Sequence, residues 1–175
     1  MSNTACGFGV CAFDRVCVLG DGPLPADLMF IGEAPGKDEL RQGRPFVGRA
    51  GQLLDAIFDE CHVRRTTVRI TNTCGCVDLE RDDRRPLPAE LDACRPRLDL
   101  EIEWCQPRVV ILMGNTATSL FFPGERIGQV YNMVRSTPHG YLVVPTYHPA
   151  HALRGAPVRE IIVDAVKLAT RLIAS

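Results

Sequence analysis

No stretch of this 175-residue chain approaches the roughly 20 consecutive apolar residues that a membrane span requires. Its first residues, MSNTACGFGV, lack the basic and apolar regions of a secretory signal. These two absences predict a cytoplasmic protein with no membrane partner. A basic excess is missing as well: the formal net charge is -1, so any nucleic-acid binding must rest on local donors rather than on a global field. No GxGxxG opens a helix after the first apolar run, which argues against a dinucleotide cofactor. Internal repeats, low-complexity tracts and long linkers are also lacking. With 46% apolar residues the length suits one core, and residues 1–175 are expected to form a single domain.

Cysteine, by contrast, is abundant. Eight cysteines without a secretory signal are poorly explained by disulfides, because the cytosol keeps thiols reduced; metal ligation is the better reading for some of them. Four apolar, β-rich runs stand out at 27–32 (DLMFIG), 67–72 (TVRITN), 108–114 (RVVILMG) and 141–145 (YLVVP). Between and after them, apolar residues recur at helical spacing: Leu53, Leu54, Ile57, Phe58 and Cys61; Leu91, Cys94, Leu98, Ile102 and Cys105; and a last stripe from Val158 to Ile173. Strands alternating with helices predict an α/β fold, a three-layer α/β/α sandwich around a central, mainly parallel four-stranded sheet.

Each predicted strand runs into a polar or glycine-rich loop: GEAPGKDELRQGRPFVG, NTCGCVDLERDDRRPLP, GNT and TYHPAHALRG. Ligands of open α/β sheets bind outside the carboxyl ends of the strands, so these loops predict one shared site. GEAPG at 32–36, GRPFVGRAGQLLD at 43–55, ITN at 70–72 and YHPAHALR at 147–154 resemble, in order and spacing, the motifs of family 4 uracil-DNA glycosylases. The likeness runs from about residue 6 to the C-terminus and is weak around 123–140. It implies an enzyme that hydrolyses the bond between uracil and deoxyribose in DNA, leaving free uracil and an abasic site. DNA is then the partner, and a monomer is expected. Two other readings remain open: a related glycosylase for another damaged or modified base, and a non-catalytic iron-sulfur module that binds DNA.

An enzyme acting on a base must extrude it, hold its flat face and read its Watson-Crick edge. Phe46, in a Gly- and Pro-rich loop, suits stacking, and the Asn72 amide offers a donor and an acceptor that match O4 and N3–H of uracil. His148, stiffened by Pro149, suits donation to O2 as the departing base gains negative charge. Glu33 is the candidate for holding water or offsetting sugar charge, with Gly32 and Ala34 beside it in the base-binding loop. Related families often carry an Asp or Asn where Ala34 stands here, so the group that activates water is open. The resemblance further implies that Glu39 crowds the carbon-5 side of the base, and that Leu153 fills the gap left by the extruded nucleotide with Arg154 beside it on DNA. Lys37, Arg44 and Arg49 are further candidates for phosphate contact. We see no lysine beside the pocket motifs to form a Schiff base, so strand cleavage is not expected.

The same resemblance implies a [4Fe-4S] cluster on four cysteines. Cys76 and Cys94 fit two positions; Cys6 and Cys11 are the N-terminal candidates, although four residues separate them where the family has two. Cys17 and Cys74 are substitutes, and structural zinc is the alternative metal. Cys61 and Cys105 lie on apolar helical stripes and read as small core residues.

Overall fold

The computed structural model describes residues 16–78 and 85–175. Strands β1 (Leu28–Gly32), β2 (Arg69–Asn72), β3 (Val109–Met113), β4 (Arg135–Ser136) and β5 (Leu142–Thr146) form one sheet in the order β2-β1-β3-β5-β4. The four apolar runs give the four parallel strands, each within a residue or two of its expected bounds. The expected four-stranded sheet is corrected to five. β4 pairs antiparallel with β5 through Arg135↔Val143 and Ser136↔Leu142. Two polar residues on an edge need no apolar run, because one side of the strand faces away from the core.

Side chains alternate between the faces of the sheet, as the pleat dictates. Leu28, Phe30, Ile70, Ile111 and Val144 pack on one face against helices α2 (Arg49–Glu60) and α7 (Arg159–Ala174), through Leu54, Ile57, Phe58, Ile162, Val166 and Ala169. Met29, Ile31, Val110, Leu112 and Val143 turn to the other face, covered by α3 (Pro88–Cys105) and α4 (Asn115–Phe121). The three layers are those expected. All five residues of β1 and of β3 are buried, which is why these strands read as continuous apolar runs rather than as alternations.

Short helices supply the remaining turns: α1 (Lys37–Gln42) after β1, α5 (Ile127–Val130) before β4, and α6 (Pro149–Leu153) after β5. In the strand order, β1 has β2 on one side and β3 on the other, so the chain reverses direction across the sheet at β1. A crevice opens at such a switch point, at the carboxyl ends of the strands. The register sets Gly32 directly beside Asn72 at that end.

Candidate active site

Phe46 reaches the crevice on a loop fixed from three directions. The Glu39 carboxylate, on α1, accepts hydrogen bonds from the backbone amides of Gly36 (3.0 Å), Val47 (2.9 Å) and Gly48 (2.7 Å). Arg65 donates to the Pro45 carbonyl at 2.7 Å and pairs with Asp55 at 2.8 Å. From below, α2 presses on the loop so closely that a Cβ on Gly51 would stand 1.8 Å from the Phe46 carbonyl oxygen. Phe46 itself adopts the left-handed conformation (φ 54°), uncommon for a bulky side chain and held here by these contacts.

Asn72 enters from the end of β2 and is only 3% exposed. Its Oδ1 is buried and accepts no hydrogen bond among the described residues. A buried acceptor without a donor is uncommon in a folded protein and marks a place where a partner is missing. A Cβ on Gly32 would meet that Oδ1 at 2.5 Å and the Phe46 ring at 2.5 Å, so only glycine lets ring and amide close over the strand end.

His148 enters from the opposite side of the crevice as the N-cap of α6, with Pro149 at the first helical position. Its Nδ1 accepts the Ala150 amide at 3.1 Å. An accepting Nδ1 carries no proton, so the neutral ring has its proton on Nε2. Burial, and secondarily the charge of Arg154, push the imidazole pKa down to about 4. The half-buried ring is therefore a neutral Nε2–H donor at physiological pH. Its centroid lies 5.5 Å from that of Phe46, with 30° between the planes.

Phe46, Asn72 and His148 line one cavity of about 360 Å³, together with Ala34, Glu39, Lys37 and Arg49. This is within the usual size of a small-ligand site. Lys37 in that lining corrects the expectation that no lysine stands at the pocket. A larger hollow of about 880 Å³ lies between Gln106–Arg108, ahead of β3, and Tyr141–Leu142, at the start of β5. It is at the amino ends of the strands and contains none of the expected site residues.

Other expected residues fall outside the cavity lining. The Glu33 carboxylate accepts a hydrogen bond from the Thr116 hydroxyl on α4, and its carbonyl accepts from the Cys74 amide and the Thr73 hydroxyl. Leu153 is 39% exposed at the end of α6 rather than packed into the last helix, and Arg154 beside it is exposed. Arg44 is exposed and paired with Asp21 at 2.8 Å. His62 and His139 are exposed turn residues, outside the cavity lining. Cys105 is fully buried, with its thiol pKa raised to about 11 by burial, and Cys61 packs against the core.

Behind Asn72 the chain makes a sulfur-rich turn. Cys74, Cys76 and Cys94 form a buried cluster in which the Cys74 and Cys94 sulfurs are 3.6 Å apart. Cys17 lies beside the same turn, since a Cβ on Gly75 would stand 2.6 Å from its Sγ. Hydrogen bonds from the Cys74 and Cys76 thiols favour ionisation of Cys94, with help from the Gly75 amide and the Arg97 charge. Cys76 is pushed up by its bonds to Cys74 and Cys94 and by burial. The thiols touch rather than surround a point, and among the described residues no three His, Cys, Asp or Glu are spaced to hold a metal ion. Cys6 and Cys11 lie outside the described residues. Two buried groups went unread in the sequence: Arg97 is wholly buried against Glu101, and Gly51 could have been suspected from a glycine inside a helical stripe.

A family model described as the uracil DNA glycosylase superfamily matches residues 19–165. The type-4 uracil-DNA glycosylase of Thermotoga maritima is 37% identical over 162 residues, covering 89% of this chain and 82% of that protein. The protein of the same name from Saccharolobus solfataricus is 40% identical over 159 residues, covering 86% and 73%. That from Archaeoglobus fulgidus is 35% identical over 152 residues, covering 82% and 75%. No helix among the described residues is long and apolar enough to cross a membrane.

Proposed function

The chain belongs to the uracil DNA glycosylase superfamily, and from that premise we propose that its cavity hydrolyses the glycosidic bond of uracil in DNA. The observation that carries this reading is the unpaired Oδ1 of Asn72, buried beside an aromatic ring and a neutral imidazole in one cavity. Uracil supplies what each group lacks. Its N3–H donates to Oδ1 of Asn72 while O4 accepts from the Nδ2 of the same amide; cytosine reverses both polarities. The Phe46 ring takes the flat face of the base. With 5.5 Å between the two ring centroids there is no slot for a base between them, since a stacked base takes about 3.4 Å on each side. Ring and imidazole thus act on different parts of the base, one on its face and the other on its edge.

As the bond to C1′ breaks, the pyrimidine gains negative charge, concentrated in part on O2. The Nε2–H of His148 donates to that oxygen, and because the ring is neutral it stabilises the anion without surrendering a proton beforehand. Glu33, steadied by Thr116, retains lone pairs for holding water or offsetting the cationic sugar. Lys37 and Arg49 at the cavity, with exposed Arg154, supply the local positive charge that the net charge of -1 withholds. Leu153, exposed at the end of α6, is shaped to fill the vacated stack. Glu39 holds the Phe46 loop with its carboxylate; in doing so it also borders the cavity, where it can limit the carbon-5 substituent. The enzyme is read as a monomer acting in the cytoplasm.

A thiolate-bound [4Fe-4S] cluster suits the chemistry of the buried, sulfur-rich turn, whose soft donors would have to part to admit it. Cys76 and Cys94 would hold it together with Cys6 and Cys11. Such a cluster would tether loops near the DNA, since a hydrolysis moves no electrons.

Incubating anaerobically purified protein with duplexes carrying uracil, hypoxanthine or modified pyrimidines, followed by alkali, tests the reading. Breaks at uracil are expected, and His148→Ala should lower the rate by about 10²–10³-fold. Omitting alkali reports on Lys37, because a Schiff base would nick the strand unaided. Absence of uracil release, or equal rates in the His148 variant, contradicts the proposal.

A further inference from the structure

We propose that Arg97 is a positioning residue that fixes Asn72 in register for base reading and ties that register to the cysteine site, an inference that rests on the glycosylase reading above. Arg97 is fully buried in the middle of α3, three residues after Cys94. One arm of its guanidinium donates to the Asn72 carbonyl at 2.6 Å and to the Thr73 carbonyl at 3.3 Å. Its other arm donates to Glu101 at 2.7 Å and to the Thr71 hydroxyl at 3.3 Å. Glu101 is clamped in turn by Arg69, at 2.9 and 2.7 Å, and by the Thr71 hydroxyl at 2.9 Å. The backbone that carries the Asn72 amide is thus gripped from α3 by a planar fork that cannot rotate without breaking several bonds.

Two features point from this fork to the cysteines. Among the described residues the buried Arg97 Nε–H finds no acceptor, and it lies 3.5 Å from where a Gly75 Cβ would stand, at the turn between Cys74 and Cys76. Two guanidinium groups also share one carboxylate in Arg69, Glu101 and Arg97, which among the described residues leaves this cluster with an excess positive charge. A buried charge calls for a counter-charge, and a buried N–H for an acceptor. A thiolate-ligated cluster is anionic and presents sulfur acceptors; bound at this turn, it would meet both demands of the group that holds Asn72.

Arg97→Gln and Arg97→Lys in the cluster-containing protein test the inference, each alone and combined with Asn72→Ala. Arg97→Gln is expected to lower kcat/KM on uracil-containing DNA by about 10–100-fold, the scale of a misplacement near 1 Å. In the Asn72→Ala background the same change should cost less than threefold, because the residue through which Arg97 acts is gone. Hydrogen exchange should quicken in the segment 69–77 and not throughout the chain. Arg97→Lys keeps the charge and loses the fork; it should hold the cluster's reduction potential near that of the parent, whereas Arg97→Gln lowers it, and should leave kcat/KM depressed. Equal losses in both backgrounds, or Arg97→Gln within twofold of the parent, overturns the inference. If Arg97→Gln does not fold, Arg97→Lys alone decides, and parent-like kcat/KM in that variant refutes the role. A parent protein that releases no uracil defeats the glycosylase reading instead, while the exchange and potential measurements still judge Arg97.

Discussion

Replacing Gly32 by alanine should separate the chemistry of the cavity from the stability of the fold. The added Cβ would stand 2.5 Å from Asn72 Oδ1, 2.5 Å from Phe46 Cζ and 2.8 Å from Phe46 Cε2, where ordinary contact begins at 3.4 Å. Side chains on both flanks must therefore retreat by about 0.9 Å, the difference between the last and the first of those distances. Overpacking of this kind costs about 1–3 kcal/mol of stability, which still leaves a typical domain folded. A displacement near 1 Å in the groups that grip the base costs on the order of 10²-fold in rate. Single-turnover uracil release, measured beside a urea melt, reads both quantities. Gly128→Ala is the control, since its Cβ meets nothing closer than the Tyr147 hydroxyl at 3.7 Å; it should change neither by much. Parent-like excision by Gly32→Ala would mean that Phe46 and Asn72 are not the grip.

The remaining predictions concern the imidazole, the loop anchor and the cysteines. The folded pKa of His148, about 4, lies below the ordinary value of 6.5, so between these pH values the unfolded chain binds a proton that the folded chain refuses. Stability should rise with pH across that window, by at most about 3 kcal/mol, and be free of the penalty above it; comparing urea melts of parent and His148→Gln from pH 4 to 7 isolates the contribution, which vanishes in the variant. Glu39→Gln places an amide against three backbone donors and should cost about 1–3 kcal/mol, with faster proteolysis within residues 43–48. Cys94→Ser should lower bound iron and sulfide together with the melting temperature, whereas Cys61→Ser, at the core margin, should leave the iron content unchanged.

Periodicity made the layers legible because β1, β3 and β5 are buried on both faces and α2 and α7 on one, so that burial wrote itself into residue type. β4 was not legible, as Arg135 is held by Glu125 and the Phe122 ring rather than by an apolar core. Phe46, Asn72 and His148 could be read from motif and position, and they do share a cavity. Their supports could not. Arg97 and Glu101, one helical turn apart, look in sequence like any solvated pair, and only the crossing of α3 behind β2 buries them beneath Asn72. Glu39 was legible only as a wall of the pocket; its three backbone partners come from both ends of a loop whose closure no local pattern announces. Glu33 stood next to the right residues in the chain, yet its side chain turns to Thr116, a partner 83 residues away.

The most direct trial of the account is a crystal structure of the protein with an abasic duplex and uracil. The base should lie against Phe46, with N3–H on Asn72 Oδ1 and O2 on His148 Nε2. Uracil bound elsewhere, above all in the hollow beside Tyr141, or in the cavity with its Watson-Crick edge turned from Asn72, would contradict the account.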